Sequence, residues 1–213
     1  MDLWRTRKEA LTDLDSQLKQ EKNLVEEVFA LADTCVERFY TFAANENDTF
    51  AIVCCHTLIK ARRYAHGCYS ICLDGLSQEA GALFRLLLET WEQLIYYSQD
   101  PSRAEEAIQG RLPSAGIIGA RIGSEYQGLR DHLNWNASHF SFREESLQSM
   151  VNEYQRERLR ADMRILFFTV MSLLFDAAKC LDIIHSLDQV LAIRIEVCRE
   201  NGYAIFPTQE HQA

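Results

Sequence analysis

Ionisable and amide side chains recur at steps of three and four residues in the middle of the chain. In the helix predicted there, Arg121, Glu125, His132, Asn136 and His139 share one strip beside the apolar stripe that faces the core. Histidines titrate near neutral pH and a guanidinium can hold an anion, so the strip has the groups needed for acid–base chemistry on an anionic substrate. The same pattern is typical of the solvated edge of a half-exposed helix, and the sequence leaves both interpretations open.

A second charged pair stands in an apolar run. Arg85 and Glu89 are four residues apart and therefore adjacent on a helix. A charge pair near a core costs desolvation energy, which suggests a role either in packing specificity or in binding a ligand. Arg62, Arg63 and His66 add positive charge on the preceding helix. An intrabundle salt bridge is the structural alternative.

Metal and nucleotide motifs are missing from the sequence. The segment Asp182-Ile-Ile-His185 is the nearest approach to the Glu-x-x-His ligand pairs of ferritin-like carboxylate sites, and it stands alone. The chain has no GxGxxG, GxxxxGK[ST], HExxH or GxSxG pattern. Its seven cysteines stand mostly in apolar runs and lack the spacing of zinc ligands, which predicts buried free thiols. We therefore predict no metal site and no cofactor.

Charge and hydropathy limit the classes of partner. The 213-residue chain has a formal charge of −9 and a pI near 5.2, so it is a poor generic binder of duplex DNA, whose phosphates are neutralised by Lys and Arg. The N-terminus lacks the apolar stretch of a signal peptide, and the longest apolar run, residues 165–175, is too short to cross a bilayer. We therefore expect a cytoplasmic protein without a membrane partner.

Apolar residues at helical spacing, with only three prolines and nine glycines, predict an all-α chain. No repeat or linker divides it, so we predict one domain over residues 1–213, an up-and-down bundle of five to seven helices. Its parts are a long N-terminal helix (1–45), a core (46–145) and C-terminal helices (146–203). The predicted helices span about residues 11–44, 49–74, 78–98, 102–109, 113–138 and 144–185, with a last helix after them. The expected start and stop residues are Asp48, Gly75, Ser77, Asp100-Pro101, Pro113, a capping box from Ser186 to Gln189, and Gly202.

Residues 65–89 resemble a bacterial all-helical family of unknown function. In that family a helix ends in a small-residue turn, followed by an alanine, an arginine, a glutamate and an aromatic-rich run, and later by a segment rich in Ser, Asn and His. The resemblance covers about residues 50–145. The matching positions in this chain are Ala80, Arg85, Glu89, residues 91–97, Asp100-Pro101 and residues 134–141.

That family is similar in layout to HEPN domains, small helical bundles found in defence and toxin systems. Many HEPN proteins are metal-independent ribonucleases that act as dimers through an Arg-x4–6-His motif, in which histidine moves protons and arginine steadies the phosphate. The resemblance implies RNA as a partner, with His139 and His132 as acid/base groups and Arg121 or Arg130 holding phosphate. The sequence departs from the motif, because no arginine is followed by four to six residues and then a histidine; Arg130 precedes His139 by eight intervening residues.

Three hypotheses of function follow. The first is a non-catalytic binding or assembly module that self-associates, as a homodimer, through the long first helix or the sixth helix. The second is a HEPN-like ribonuclease of a defence system. The third is a sensor of a small anionic ligand that uses Arg85, Glu89, Asn136 and Glu125. Long amphipathic helices, an acidic surface and the lack of a complete catalytic signature favour the first hypothesis.

Overall fold

The computed structural model describes residues 3–136 and 154–206, and helices make up most of both ranges. No strand occurs in these ranges, which confirms the all-α class, although their nine α-helices exceed the predicted five to seven. None of the described helices is long and apolar enough to cross a bilayer. The helices are α1 (Leu3–Asp15), α2 (Lys19–Glu46), α3 (Thr49–Leu73), α4 (Ser77–Gln99), a 3₁₀ helix (Pro101–Arg103), α5 (Ala104–Ile108), α6 (Ala115–Ile122), α7 (Gln127–Asn136), α8 (Arg156–Ile183) and α9 (Gln189–Ile205).

Four long helices build the core. α3 packs along α2 and α4, and α8 contacts all three of these helices. Side chains from each of the four, such as Leu31, Leu58, Leu87 and Leu174, are completely buried. α9 covers α2 and α8, while α6 and α7 pack on α4. The two small helices are therefore positioned by α4, which carries the residues that they contact.

Local signals end and start the helices around α3 and α4. The Asp48 carboxylate accepts the backbone N–H three residues further on, which confirms it as the N-cap of α3. Gly75 has φ +74, a left-handed conformation that ends α3 as predicted and favours glycine. The predicted capping role of Ser77 is wrong. Its hydroxyl donates to the Asp162 carboxylate of α8, so a tertiary partner takes the side chain that a local cap would have used.

The predicted long N-terminal helix (1–45) is two helices, with a turn at residues 16–18. The backbone N–H groups at the turn bond back to the carbonyl of Asp13 instead of continuing the helix. The break lets α1 reach α3, where the Arg7 guanidinium forms an ion pair with Asp74 at 2.6 Å. Tertiary contacts of α1 therefore decide the break, which apolar spacing alone did not indicate.

The C-terminal helices also begin and end differently from the predictions. The part of the predicted sixth helix (144–185) that precedes Tyr154 lies outside the described residues, and α8 starts at Arg156. Asp188, and not a box from Ser186 to Gln189, caps α9 by accepting the N–H of Leu191 at 2.7 Å.

Two residues that were predicted to end or to open a helix do neither. Gly202 lies inside α9, which continues to Ile205, so it does not close the last helix. Pro113 precedes Ser114, the residue before α6, and therefore does not open the helix.

Candidate functional site

The predicted polar strip does not exist as one helical face. Gly123 takes φ +65 and ends α6, and α7 starts only at Gln127. Arg121 therefore lies on α6, exposed Glu125 lies in the connection, and exposed His132 lies on α7. The prediction of one continuous helix over residues 113–138 is wrong, because Gly123 in the left-handed conformation interrupts the helix.

Arg130 is a buried structural residue. Its side chain is 8% exposed and forms an ion pair at 2.5 Å with Glu92 of α4, whose side chain is 1% exposed. The same guanidinium donates to the carbonyl of Ala115 at 3.0 Å and to the Gln127 amide oxygen at 2.6 Å. Ser124 donates to the other Glu92 oxygen. The predicted role of Arg130 in binding phosphate therefore has no support, because its guanidinium is not accessible to a ligand.

Gly119 of α6 makes room for this ion pair. A Cβ at this position would lie 2.6 Å from Nη1 of Arg130 and 2.9 Å from its Cζ. The guanidinium thus lies directly against the α6 backbone. Its contacts join α4, α6 and α7 at one point. No signal in the local sequence links Glu92 with Arg130, because 38 residues separate them.

Arg121 is engaged with a buried tyrosine. Its Nη1 donates to the hydroxyl of Tyr96 at 2.6 Å, and that hydroxyl donates to the Glu106 carboxylate at 2.9 Å. Arg103 lies over the same ring at 4.3 Å from its centroid and donates to the Tyr96 carbonyl. Arg121 and Arg130 therefore have different partners, and the structure does not bring them together as a phosphate site.

The remaining predicted site residues lie apart from this network. His139 lies outside the described residues, as does the side chain of Asn136, the last residue of α7. Arg85 and Glu89 form their predicted i, i+4 ion pair at 3.3 Å on a half-buried face of α4. This pair is not enclosed in the bundle core, as the anionic-sensor hypothesis had assumed.

Two of the three basic residues noted on α3, Arg62 and His66, have partners on α2. Arg62 forms an ion pair with Asp33 of α2, and His66 stacks on Phe29 with the ring centroids 4.1 Å apart. Burial is the main cause that lowers the pKa of His66, and the nearby Arg62 guanidinium lowers it further. Arg63 is exposed. The Arg62 and His66 side chains are thus explained by contacts between α2 and α3.

A groove of about 570 Å³ lies between the end of α3, the first half of α4, α7 and α8. This volume is in the range of about 300–1,000 Å³ that is usual for small-molecule sites. Most of its lining is apolar, and His132 is among the polar residues at its wall. The apolar side chains that shape it include Phe84, Leu88, Trp91, Leu133, Ile165 and Phe168.

Hydrogen bonds to Asp176 hold one wall of the groove. The indole Nε1 of Trp91 donates to Asp176 of α8 at 2.7 Å, and the Lys179 ammonium donates to the other oxygen of the same carboxylate. The Trp91 ring also lies 4.9 Å from the ring of Tyr126, measured between centroids. α4, α8 and the residue before α7 are therefore fixed relative to one another beside the groove.

Asp162 and Ser77 form the polar end of the groove. Both line it, and the Ser77 hydroxyl donates to the Asp162 carboxylate. Burial raises the pKa of Asp162, while the Ser77 hydrogen bond and the Arg158 guanidinium oppose that rise. Neither residue was a predicted site residue. A signal was present, since Asp162 is three residues after Leu159 on a helix and so shares its buried face.

The last described helix carries an exposed apolar stripe. Val190, Ile193 and Val197 of α9 are 68%, 62% and 50% exposed. Their spacing of three and four residues places them on one face, away from the buried face that contains Leu191 and Ile195. This spacing is that of the a and d positions of a heptad, which pack against a second helix.

Comparison with known proteins returned no matching family model, no similar curated protein and no similar solved structure. Within residues 3–136 and 154–206, no group of three or more His, Cys, Asp or Glu side chains lies close enough to hold a metal ion. All seven cysteines are free and buried.

Proposed function

We propose that this chain is a helical binding module that holds a small, mainly apolar molecule in the groove between α3, α4, α7 and α8. The groove itself is the observation that carries the proposal: its walls are apolar, and one end has a convergent pair of polar groups. The fixed contacts of Trp91 support a preformed site, since they hold the α4 and α8 walls in place. The free, buried cysteines support a reducing compartment such as the cytoplasm as its location.

Binding of the neutral apolar fluorophore Nile red tests this proposal. We expect saturable binding with a rise in fluorescence, because the dye would leave water for an apolar site. Thr169 lines the groove, so Thr169→Trp should fill it and weaken binding about tenfold or more.

Thr41→Trp is the matched control for the groove variant. Thr41 is an exposed helical threonine on α2, and its hydroxyl bonds to the carbonyl four residues earlier, as that of Thr169 does. Binding should be unchanged in this control. Equal affinity of both variants and the unmodified protein would show that the dye does not use the groove, and would overturn the proposal.

We also propose that the module self-associates through the α9 stripe, as a homodimer. The observation that favours this second function is the heptad-like exposure of Val190, Ile193 and Val197. α9 replaces the first and sixth helices as the expected interface, because the long helices α2 and α8 pack against other helices of the same chain.

Light scattering across the micromolar range tests self-association. We expect a mass approaching twice the chain mass of 24.6 kDa, which Ile193→Glu with Val197→Glu should return to the mass of one chain. Tyr40→Glu replaces an equally exposed apolar side chain on α2 and should leave the dimer intact. A single-chain mass at every concentration would contradict this proposal.

The ribonuclease hypothesis has less support, because Arg130 is buried and Arg121 is engaged with Tyr96. Incubation with tRNA in EDTA, followed by a denaturing gel, separates it from the binding module. The binding-module proposal predicts an intact RNA pool. Cleavage that disappears in a His132→Ala/His139→Ala variant would instead support a metal-independent nuclease and count against a purely binding role.

A further inference from the structure

Buried carboxylates elsewhere in the described chain each have a basic partner. Three of these partners lie on α8 and the fourth lies on α7. A buried anion without such a partner carries a large desolvation cost. The pairs are Asp13 with Arg156 at 2.9 Å, Glu21 with Arg160 at 2.8 Å, Glu92 with Arg130 at 2.5 Å, and Asp176 with Lys179 at 2.7 Å.

Asp162 differs from these four carboxylates. It is half-buried and lines the groove, but no lysine or arginine within residues 3–136 or 154–206 forms an ion pair with it. Its hydrogen-bond partners are neutral groups, the hydroxyl of Ser77 and the thiol of Cys72. Within residues 3–136 and 154–206, the groove thus presents one carboxylate that has hydrogen-bond partners but no Lys or Arg ion-pair partner, at the end of an apolar cavity.

We infer that the groove binds an amphipathic amine, whose cationic nitrogen contacts Asp162 and whose hydrocarbon body lies along the apolar walls. This inference rests on the proposed function, since it names the ligand class of the same groove. An ammonium is the complement of the carboxylate, and the hydrocarbon body would contact Phe84, Phe168 and Trp91 further along the lining. The net charge of −9 attracts cations over longer distances.

The electrostatics of the groove agree with a cationic ligand. Burial is the largest influence on Asp162 and raises its pKa, and the Ser77 hydrogen bond and the Arg158 guanidinium only partly compensate. A bound ammonium would supply the missing positive charge and lower that pKa again. An anionic ligand would meet the carboxylate as a like charge, which disfavours the anionic-sensor hypothesis at this site.

Three ligands with the same hydrocarbon body test the inference: n-decylamine, decan-1-ol and decanoate. Their dissociation constants would be measured by titration calorimetry and by displacement of Nile red, below the concentrations at which they form micelles. We expect decylamine to bind about tenfold or more tightly than decan-1-ol, and decanoate to bind most weakly. Asp162→Asn should remove the preference for the amine and leave the affinity for the alcohol within about twofold.

Asp182→Asn is the charge-matched control. Asp182 is exposed and lies on α8 about 30 Å along the helix from Asp162, so this variant removes the same charge without touching the groove. It should keep the preference for the amine. Loss of the preference in this control would assign it to general attraction by the acidic surface and overturn the inference.

The outcomes separate the inference from the proposed function. Decan-1-ol binding that Thr169→Trp abolishes, combined with no preference for decylamine, would overturn the amine class and leave the apolar binding site standing. No binding of any of the three ligands, together with no Nile red binding, would overturn both. Circular dichroism of each variant confirms that a loss of binding is not a loss of fold.

Discussion

The Arg130 guanidinium connects three helices through one buried and two partly buried hydrogen bonds. Its partners are the Glu92 carboxylate of α4, the Ala115 carbonyl of α6 and the Gln127 amide of its own helix. A buried ion pair adds little stability compared with a well-packed apolar pair, but removing one partner leaves a buried charge uncompensated. The residue that resembled a catalytic arginine therefore has a structural role with a measurable consequence.

Arg130→Met should lower the free energy of unfolding by about 3–5 kcal/mol, because Glu92 loses its counter-ion. The double variant Glu92→Gln/Arg130→Met should recover part of that loss, since neither charge then remains. Urea denaturation measures both effects. Arg38→Met removes one member of the exposed ion pair with Asp188 and should cost at most about 1 kcal/mol. If Arg130→Met lowers the free energy of unfolding by no more than Arg38→Met does, Glu92 is not truly desolvated.

The position of α9 is set by close contact between its backbone and a side chain of α8. Gly202 lies against the completely buried ring of Phe167, where a Cβ would come within 2.1 Å of the ring. Phe167 is itself held by ring contacts with Phe168 and Phe206. Because the ring has no room to move, the glycine sets how closely α9 can pack and so where the Val190, Ile193 and Val197 stripe stands.

Gly202→Ala should destabilise the protein by about 1–3 kcal/mol, as overpacking in a filled core does. Gly128→Ala is the matched control, because Gly128 is also helical and a Cβ there would meet nothing within 4 Å. That control should be neutral or more stable by up to about 1 kcal/mol, since alanine favours the helix. Thermal unfolding compares the two variants. If Gly202→Ala is as stable as Gly128→Ala, the Phe167 ring can move to make room for the added methyl group, and the prediction is wrong.

The whole molecule keeps its thiols away from water. All seven cysteines are buried and free, and burial raises the pKa of Cys35, Cys68 and Cys198 to about 12 each. In the unfolded chain these thiols ionise near pH 9.0. Because the folded state binds their protons more tightly, the contribution to stability is complete below pH 9 and is lost as the pH rises towards 12.

We therefore expect the free energy of unfolding to fall between pH 8.5 and 10.5, by up to about 1.4 kcal/mol per pH unit for each such thiol. Urea denaturation under reducing conditions measures this dependence. Cys198→Ala should make the slope shallower by about one proton, because one titrating group is removed from the unfolded state. A free energy that is constant over this pH interval would show that the thiols ionise in the folded protein.

Local signals in the sequence determined the helical class and several helix ends. Asp48 caps α3, Gly75 ends it in the left-handed region, and Pro101 follows the end of α4. These features depend on backbone angles and on groups a few residues away, so they can be predicted without knowledge of the fold. The i, i+4 pair of Arg85 and Glu89 belongs to the same class.

Tertiary structure alone decided which polar residues meet. Glu92 with Arg130, and Ser77 with Asp162, are joined across 38 and 85 residues of chain, so neither pairing leaves a local pattern. The break at Gly123 also divides the predicted polar strip between two helices, which have different neighbours. Periodicity reports which face of a helix is buried, but the partner of a buried charge is set by the packing of distant helices, and this packing also shaped the groove beside Asp162.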